Sequence, residues 1–243
     1  MSIEKLPGKK DIKVVLKQLQ SDGLIGISVD CVIFGFDENE LKVLMIKSDL
    51  KQFEGKWSLL GDLVHRDEDL DQAAYRILKE RTGMEDVYLE QVRSFGKVNR
   101  HLAARVVTIA YCSLINIEQH LLQKDDNELH WHKVNMEPDM AFDHQEIMKV
   151  CHEWLQKRVQ EHPLGFSLLP QKFSLRELQN LYEAILGIKL DRRNFRKKFF
   201  SMDVLEDTNE LEFNVPHRPG KLYKFNYLKY KTKGGRKFMR LDF

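Results

Sequence analysis

Apolar residues recur along this chain at two different periods, and the switches between them outline its elements. Residues 25–36 and 41–47 are rich in branched apolar side chains and predict β-strands, with Asp37 to Glu40 supplying the turn between them. Strand-like runs return at 87–95 and 105–115, and a shorter one covers Trp131 to Val134 after a polar stretch at 123–130. Between them the period changes. Leu70, Ala73, Ala74, Ile77 and Leu78 fall on one helical stripe over 69–81, residues 143–160 predict a second helix, and 12–20 a short one. Strands and helices in this mixed order predict an α+β sandwich.

Past residue 162 the pattern changes again. The 162–170 segment carries Pro163, Gly165 and Pro170, and reads as a domain junction. Ser174 followed by Glu177 has the form of a capping box, which satisfies orphan N–H groups at a helix start. Leu175, Leu178, Leu181, Tyr182, Ile185 and Leu186 follow at helical spacing, Gly187 is placed to end the helix, and Asp191 to cap another that runs through Phe200. Helix, short turn and helix form the skeleton of a helix-turn-helix. Projected at about 100° per residue, Phe195, Phe199 and Met202 share one side of the second helix. Arg192, Arg193, Arg196 and Lys197 occupy the outer arc, with Asn194 at its margin. Guanidinium groups pair bidentately with guanine and an amide with adenine, so this face suits a DNA major groove. Residues 210–215 and 221–227 read as two strands around a turn, a wing whose tip carries Arg218 and Lys221 toward phosphate or a minor groove. The basic tail from Lys229 to Arg240 reads either as an electrostatic arm or as a further strand.

Charge sharpens this division. The net charge is only +2, but from Lys172 onward there are 17 Lys and Arg against 9 Asp and Glu. The residues before Lys172 hold 22 and 28, so the two parts carry +8 and −6. One part is therefore expected to meet a polyanion and the other not. No apolar run approaches the roughly 20 residues that span a bilayer. Met1 to Lys5 lacks the pattern of a secretory signal. A cytoplasmic protein without a membrane partner is the expectation, and Cys31, Cys112 and Cys151 lack metal-ligand spacing and are expected as structural thiols.

Residues 55–64, Glu68 and the run 73–84 resemble the Nudix family, whose box reads G-x5-E-x7-R-E-U-x-E-E-x-G-U with U bulky and aliphatic. Aligned on Gly83 and Met84, the first Gly is Asp62, while Glu68 and Arg76 are kept. A carboxylate position is Ile77, and the closing glutamate pair is Glu80 and Arg81. In active members those carboxylates hold Mg²⁺, a hard cation that takes oxygen ligands. Spacing i, i+3, i+4 puts 77, 80 and 81 on one helical face, with formal charge 0 where the family pattern gives −3. No metal, no cofactor and no hydrolysis are expected.

Residues 166–170, 173–187 and 191–198, with 90–96 and 105–111 upstream, are similar to Nudix-related transcriptional regulators. The resemblance covers roughly residues 25–228. It implies a Nudix-like α/β/α sandwich over 1–160 that binds an effector, a linker at 161–170, and a winged helix-turn-helix over 171–243. The expected partners are a double-stranded DNA operator, a second copy of the chain and a small molecule. Asp62, Glu68, Glu80, Arg81 and Arg100 are the candidate effector residues. Family effectors include ADP-ribose and pentoses such as arabinose. The lost carboxylates favour a neutral sugar, although Arg81 and Arg100 offer a direct seat for phosphate. Two other readings stay open, a Nudix hydrolase of ADP-ribose or a related nucleoside diphosphate derivative that uses Glu68 and Glu80, and a structural adaptor.

Overall fold

In a computed structural model, residues 23, 25–37, 39–48, 50–102, 104–120, 122, 129–136, 138–216 and 218–233 are described. The expected helix at 12–20 lies outside them, as do residues 123–128 of the polar stretch and the tail from residue 234.

Strand β1 (Gly26–Asp37) organises the N-terminal part. Successive side chains of a strand point to opposite faces. Here Val29, Cys31 and Ile33 enter one core while Val32, Phe34 and Phe36 enter another. An apolar run buried on both faces marks the centre of a sheet covered on both sides. β1 pairs in parallel with β6 (Val106–Asn116), from Gly26 with Val106 to Phe36 with Asn116. Its other edge is shared by β4 (Leu60–Leu63), opposite 28–31, and β2 (Glu40–Lys47), opposite 34–37. β3 (Trp57–Ser58) and β7 (Leu129–Lys133) pair with β2, and β5 (Glu90–Phe95) closes the far side on β6. The sequence pattern gives no sign of the short strands β3 and β4, which lie in the glycine-containing segment leading to Glu68.

Helix α1 (Leu70–Thr82) covers one face, burying Ala73, Ala74, Ile77 and Leu78. A reciprocal capping box between Asp69 and Gln72 starts it. Helix α2 (His144–Glu161) covers the other face with Ile147, Met148, Cys151, Leu155 and Val159. Helix, sheet and helix make the three layers expected. All three cysteines are free and buried, and burial pushes the Cys151 thiol up to about 12.

The 161–170 segment is not a loose tether. Pro163–Leu168 forms a 3₁₀ turn whose Phe166 stacks on Phe225 with ring centroids 4.1 Å apart. Asn116 donates from Nδ2 to the Leu168 carbonyl at 2.8 Å. The apolar cluster around α2 therefore continues without a break into the C-terminal part.

There, Ser174 and Glu177 close the expected capping box on α3 (Leu175–Leu186). Gly187 ends the helix with φ of 70°, a conformation other residues adopt at a cost. Asp191 caps α4 (Arg192–Met202) by accepting from the Asn194 amide. β8 (Phe173–Ser174), β10 (Lys221–Phe225) and β9 (Leu205–Leu211) form a small antiparallel sheet.

The wing differs from its expected form. Its first strand starts five residues earlier, and the connection spans 212–220. The alternation of Leu211, Phe213 and Val215 mimics a half-buried strand, but Phe213 is 94% exposed and Asn214 turns the chain at φ 55°. Nor do residues 227–232 extend a strand. They form α5 (Tyr227–Thr232), capped by the Asn226 side chain.

Candidate functional site

Past Val43 strand β2 leaves β1, whose edge β4 takes over, and a cavity of about 410 Å³ lies beside the end of β2 and β4. Ser28 and Asp30 of β1, Lys47 and Ser48 at the end of β2, Asp62 and Leu63 of β4, and Arg81 of α1 line it, with Arg100, His101, Phe142 and His144 from the opposite wall.

A buried polar network forms its floor. Asp30 lies on the α2 side of β1 and is 4% exposed. It accepts from the Thr108 hydroxyl at 2.8 Å. Arg100 grips Asp143 through two hydrogen bonds, Nε to Oδ2 at 3.0 Å and Nη2 to Oδ1 at 2.8 Å, and lies 3.5 Å from Asp30. His144 accepts from the Leu59 amide at Nδ1, which leaves its proton on Nε2, 3.5 Å from Asp30 Oδ1. Burial lowers the His144 pKa and holds the ring neutral. Gly61 is required above this network, because a Cβ there would meet Asp30 Oδ1 at 2.1 Å.

Phe142 forms an aromatic wall. It stacks on His101 at 5.2 Å and 11°, and contacts Phe53 at 4.4 Å. Its backbone is left-handed at φ 51°, a strained state for a bulky side chain and one that collects at ligand sites.

Of the five candidate effector residues, Asp62, Arg81 and Arg100 line the cavity, while Glu68 and Glu80 do not. Arg76 holds both glutamates. It donates to the two Glu68 oxygens at 2.8 and 2.7 Å and to Glu80 at 3.1 Å, and also reaches the Leu63 carbonyl. The Arg76 guanidinium, helped by the His65 amide, lowers the Glu68 pKa to about 2. Ile77 is 1% exposed in the core, so positions 77, 80 and 81 do not share one solvent face. Sequence reasoning missed Asp30, Asp143, His144, His101 and Phe142. The signal available for Asp30 was a lone carboxylate inside an apolar strand. The Phe142 backbone angle leaves no trace in sequence.

The second candidate surface is α4. Phe195, Phe199 and Met202 are buried under it, whereas Arg192, Arg193, Asn194, Arg196 and Lys197 are exposed. Glu183 fixes the turn before it, accepting from the Leu190 amide and the Lys189 ammonium. Gln179 donates to the Leu190 carbonyl. On the wing, Lys221 begins β10 instead of capping the tip, and its ammonium lies 2.7 Å from Asp207.

The two surfaces are joined by α2. Asp143 and His144 stand at its start beside the cavity. Two turns on, His152 donates to the Ile185 carbonyl at 3.0 Å, and Gln156 donates to the carbonyls of Ile185 and Leu186 at 3.3 and 3.1 Å. These contacts satisfy carbonyls that the end of α3 leaves open. No helix among the described residues is long and apolar enough to cross a membrane.

Residues 24–155 match the NUDIX domain and residues 165–225 the NrtR DNA-binding winged helix domain. The ADPR responsive transcriptional repressor NtrR of Acinetobacter baylyi is 35% identical over 205 residues, 82% of this chain and 81% of the relative. The crystal structure of Shewanella oneidensis NrtR with a 27mer DNA superposes with a TM-score of 0.71 at 27% identity, covering 84% of this chain and 95% of the other. The NUDIX domain of that protein with ADP ribose gives a TM-score of 0.51 at 25% identity, over 60% of this chain and 99% of the other.

Proposed function

From the premise that this chain belongs to the NrtR-type regulators, a Nudix domain joined to a C-terminal winged-helix DNA-binding domain, we propose a homodimeric transcriptional regulator whose Nudix cavity binds ADP-ribose and whose α4 enters the operator. The observation that carries this reading is the single helix α2, which meets the cavity at one end and the end of α3 further along. Two copies would present two α4 helices to successive major grooves of a near-palindromic site. ADP-ribose favours one placement of α3 and α4 only if its affinity differs between the bound and released forms.

ADP-ribose replaces the pentose favoured by sequence reasoning. Its diphosphate suits the guanidinium of Arg81 on the cavity wall, its base suits the Phe142 and His101 wall, and about 410 Å³ is within the usual range for small-molecule pockets. The relative named as ADPR responsive and the ADP ribose complex of the similar Nudix domain support the same choice. A neutral pentose makes no use of the cation.

The domain is a sensor, not a hydrolase. The residues present do not fit Mg²⁺. One ligand position is the buried Ile77, Glu68 and Glu80 are engaged by Arg76, and Arg81 brings a positive charge where a cation would sit. Binding is tested by anisotropy on a duplex from the region upstream of its own coding sequence, with ADP-ribose and arabinose titrated in separately. ADP-ribose should shift the affinity and arabinose should not. Turnover of ADP-ribose with Mg²⁺, abolished by Glu80→Gln, would instead establish the hydrolase.

A further inference from the structure

The wing is an unfavourable DNA element on electrostatic grounds. Between residues 205 and 221 it carries Glu206, Asp207, Glu210 and Glu212 against Arg218 and Lys221. Lys221 is already paired with Asp207, and Glu210 is paired with Lys172 at 2.6 Å. A hairpin with an acidic balance is repelled by a phosphate backbone.

Where the wing meets α3 and α4, the arginines of the two helices reverse the balance. A concavity of about 300 Å³ lies between the start of α3, one side of α4 and the beginning of β10. Arg176, Arg192, Arg196, Arg218 and Lys221 line it, with Gln179 and Ser174 as neutral donors. Among the described residues Glu212 is the one carboxylate on its wall, and its Oε2 accepts from the Gly220 amide at 2.8 Å. Arg176 is exposed and reaches the concavity from α3, outside the helix that sequence reasoning assigned to DNA.

We infer that this concavity seats a phosphodiester of the operator backbone, with Arg176 as its anchor, and that the basic face of α4 is split in two. Arg192 and Arg196 are four residues apart, stand on one side of α4 and both line the seat. Arg193 and Lys197 form the neighbouring stripe, opposite the buried phenylalanines, and with Asn194 are left for base edges. Phosphate contacts fix register and carry no sequence information, whereas base contacts carry it. The two stripes therefore have separable effects.

This inference rests on the DNA-binding reading above. Its test measures affinity against salt for the wild type, Arg176→Ala, Arg176→Lys and Arg193→Ala. Each is tested on the upstream duplex and on a mixed-sequence duplex of equal length. Losing one phosphate contact lowers the slope of log K against log salt by about 0.9. Arg176→Ala should weaken binding to both duplexes by the same factor and lower the slope by that amount. Arg176→Lys should keep the slope, and Arg193→Ala should reduce the ratio of affinities between the duplexes. Unchanged melting of Arg176→Ala confirms that the effect is not structural. An unaltered slope in Arg176→Ala, with the wild type binding normally, overturns the seat alone. A wild type with no salt-dependent DNA binding overturns both readings.

Discussion

At the scale of single residues, Arg76 and Arg81 are placed differently by the same helix. Arg76 spends both remaining glutamates on an internal brace, tying the Glu68 loop to α1. Arg81 faces the cavity. A hydrogen bond to a charged group contributes about 1.5–3 kcal/mol, so Arg81→Ala should weaken ADP-ribose binding roughly tenfold to hundredfold by calorimetry. The affinity of the wild type should not change when EDTA is added. Glu68 also predicts a pH response. Its folded pKa, about 2, lies below its ordinary 4.5. The stability it contributes is therefore complete above pH 4.5 and is lost as pH falls toward 2. Asp203, which Lys229 and Lys233 lower from 3.8 to about 2, has the same sign. Melting temperature should be level above about pH 7, begin to fall as pH drops through 6.5 because buried His144 resists protonation, and fall further in acid, where Glu68→Gln should flatten part of the fall.

At the scale of elements, the caps connect local chemistry to function, because they place α3 and α4 for the groove. Replacing an N-cap serine by alanine costs about 1 kcal/mol. Ser174→Ala should lower the midpoint of urea unfolding by that equivalent and leave ADP-ribose affinity unchanged, since Ser174 is not among the residues that line the cavity. The same local chemistry explains which elements were legible in the sequence. α1, α3 and α4 carry both a period and a cap, and they were placed to within two residues at either end. β1 and β6 are long apolar runs and were equally clear. The wing strand was misplaced because Leu211 and Phe213 alternate as a buried strand would, while their exposure is decided by the turn at Asn214. The cavity was only half legible. Arg81 and Arg100 have box or charge signals, but Asp143 and His144 meet Arg100 and Asp30 only through tertiary placement of the start of α2, Asp143 reaching Arg100 across 43 positions and His144 reaching Asp30 from still further along the chain.

At the scale of the molecule, the sensor and the reading head share one core, and this changes how a signal can travel. A flexible tether would let the winged helix move without reference to the cavity. Here Phe166, Leu168 and Leu169 of the 161–170 segment are packed in the apolar cluster that also holds Ile147 and Leu181. Packed cores deform little and pass displacement on. A ligand in the cavity that displaced Asp143 and His144 would therefore carry His152 and Gln156 with it along α2. Those two side chains hold the last carbonyls of α3, just before the turn to α4. Cutting that link should separate the two activities. The double substitution His152→Ala and Gln156→Ala should bind ADP-ribose with wild-type affinity by calorimetry and bind DNA in its absence, yet lose most of the effector-dependent change in DNA affinity. Coupling is a free energy shared by two sites, so the effect must also appear in reverse, with DNA no longer altering ADP-ribose affinity in the double variant. If the effector still shifts DNA affinity by the wild-type factor, the signal passes elsewhere, and the dimer surface becomes the path to examine.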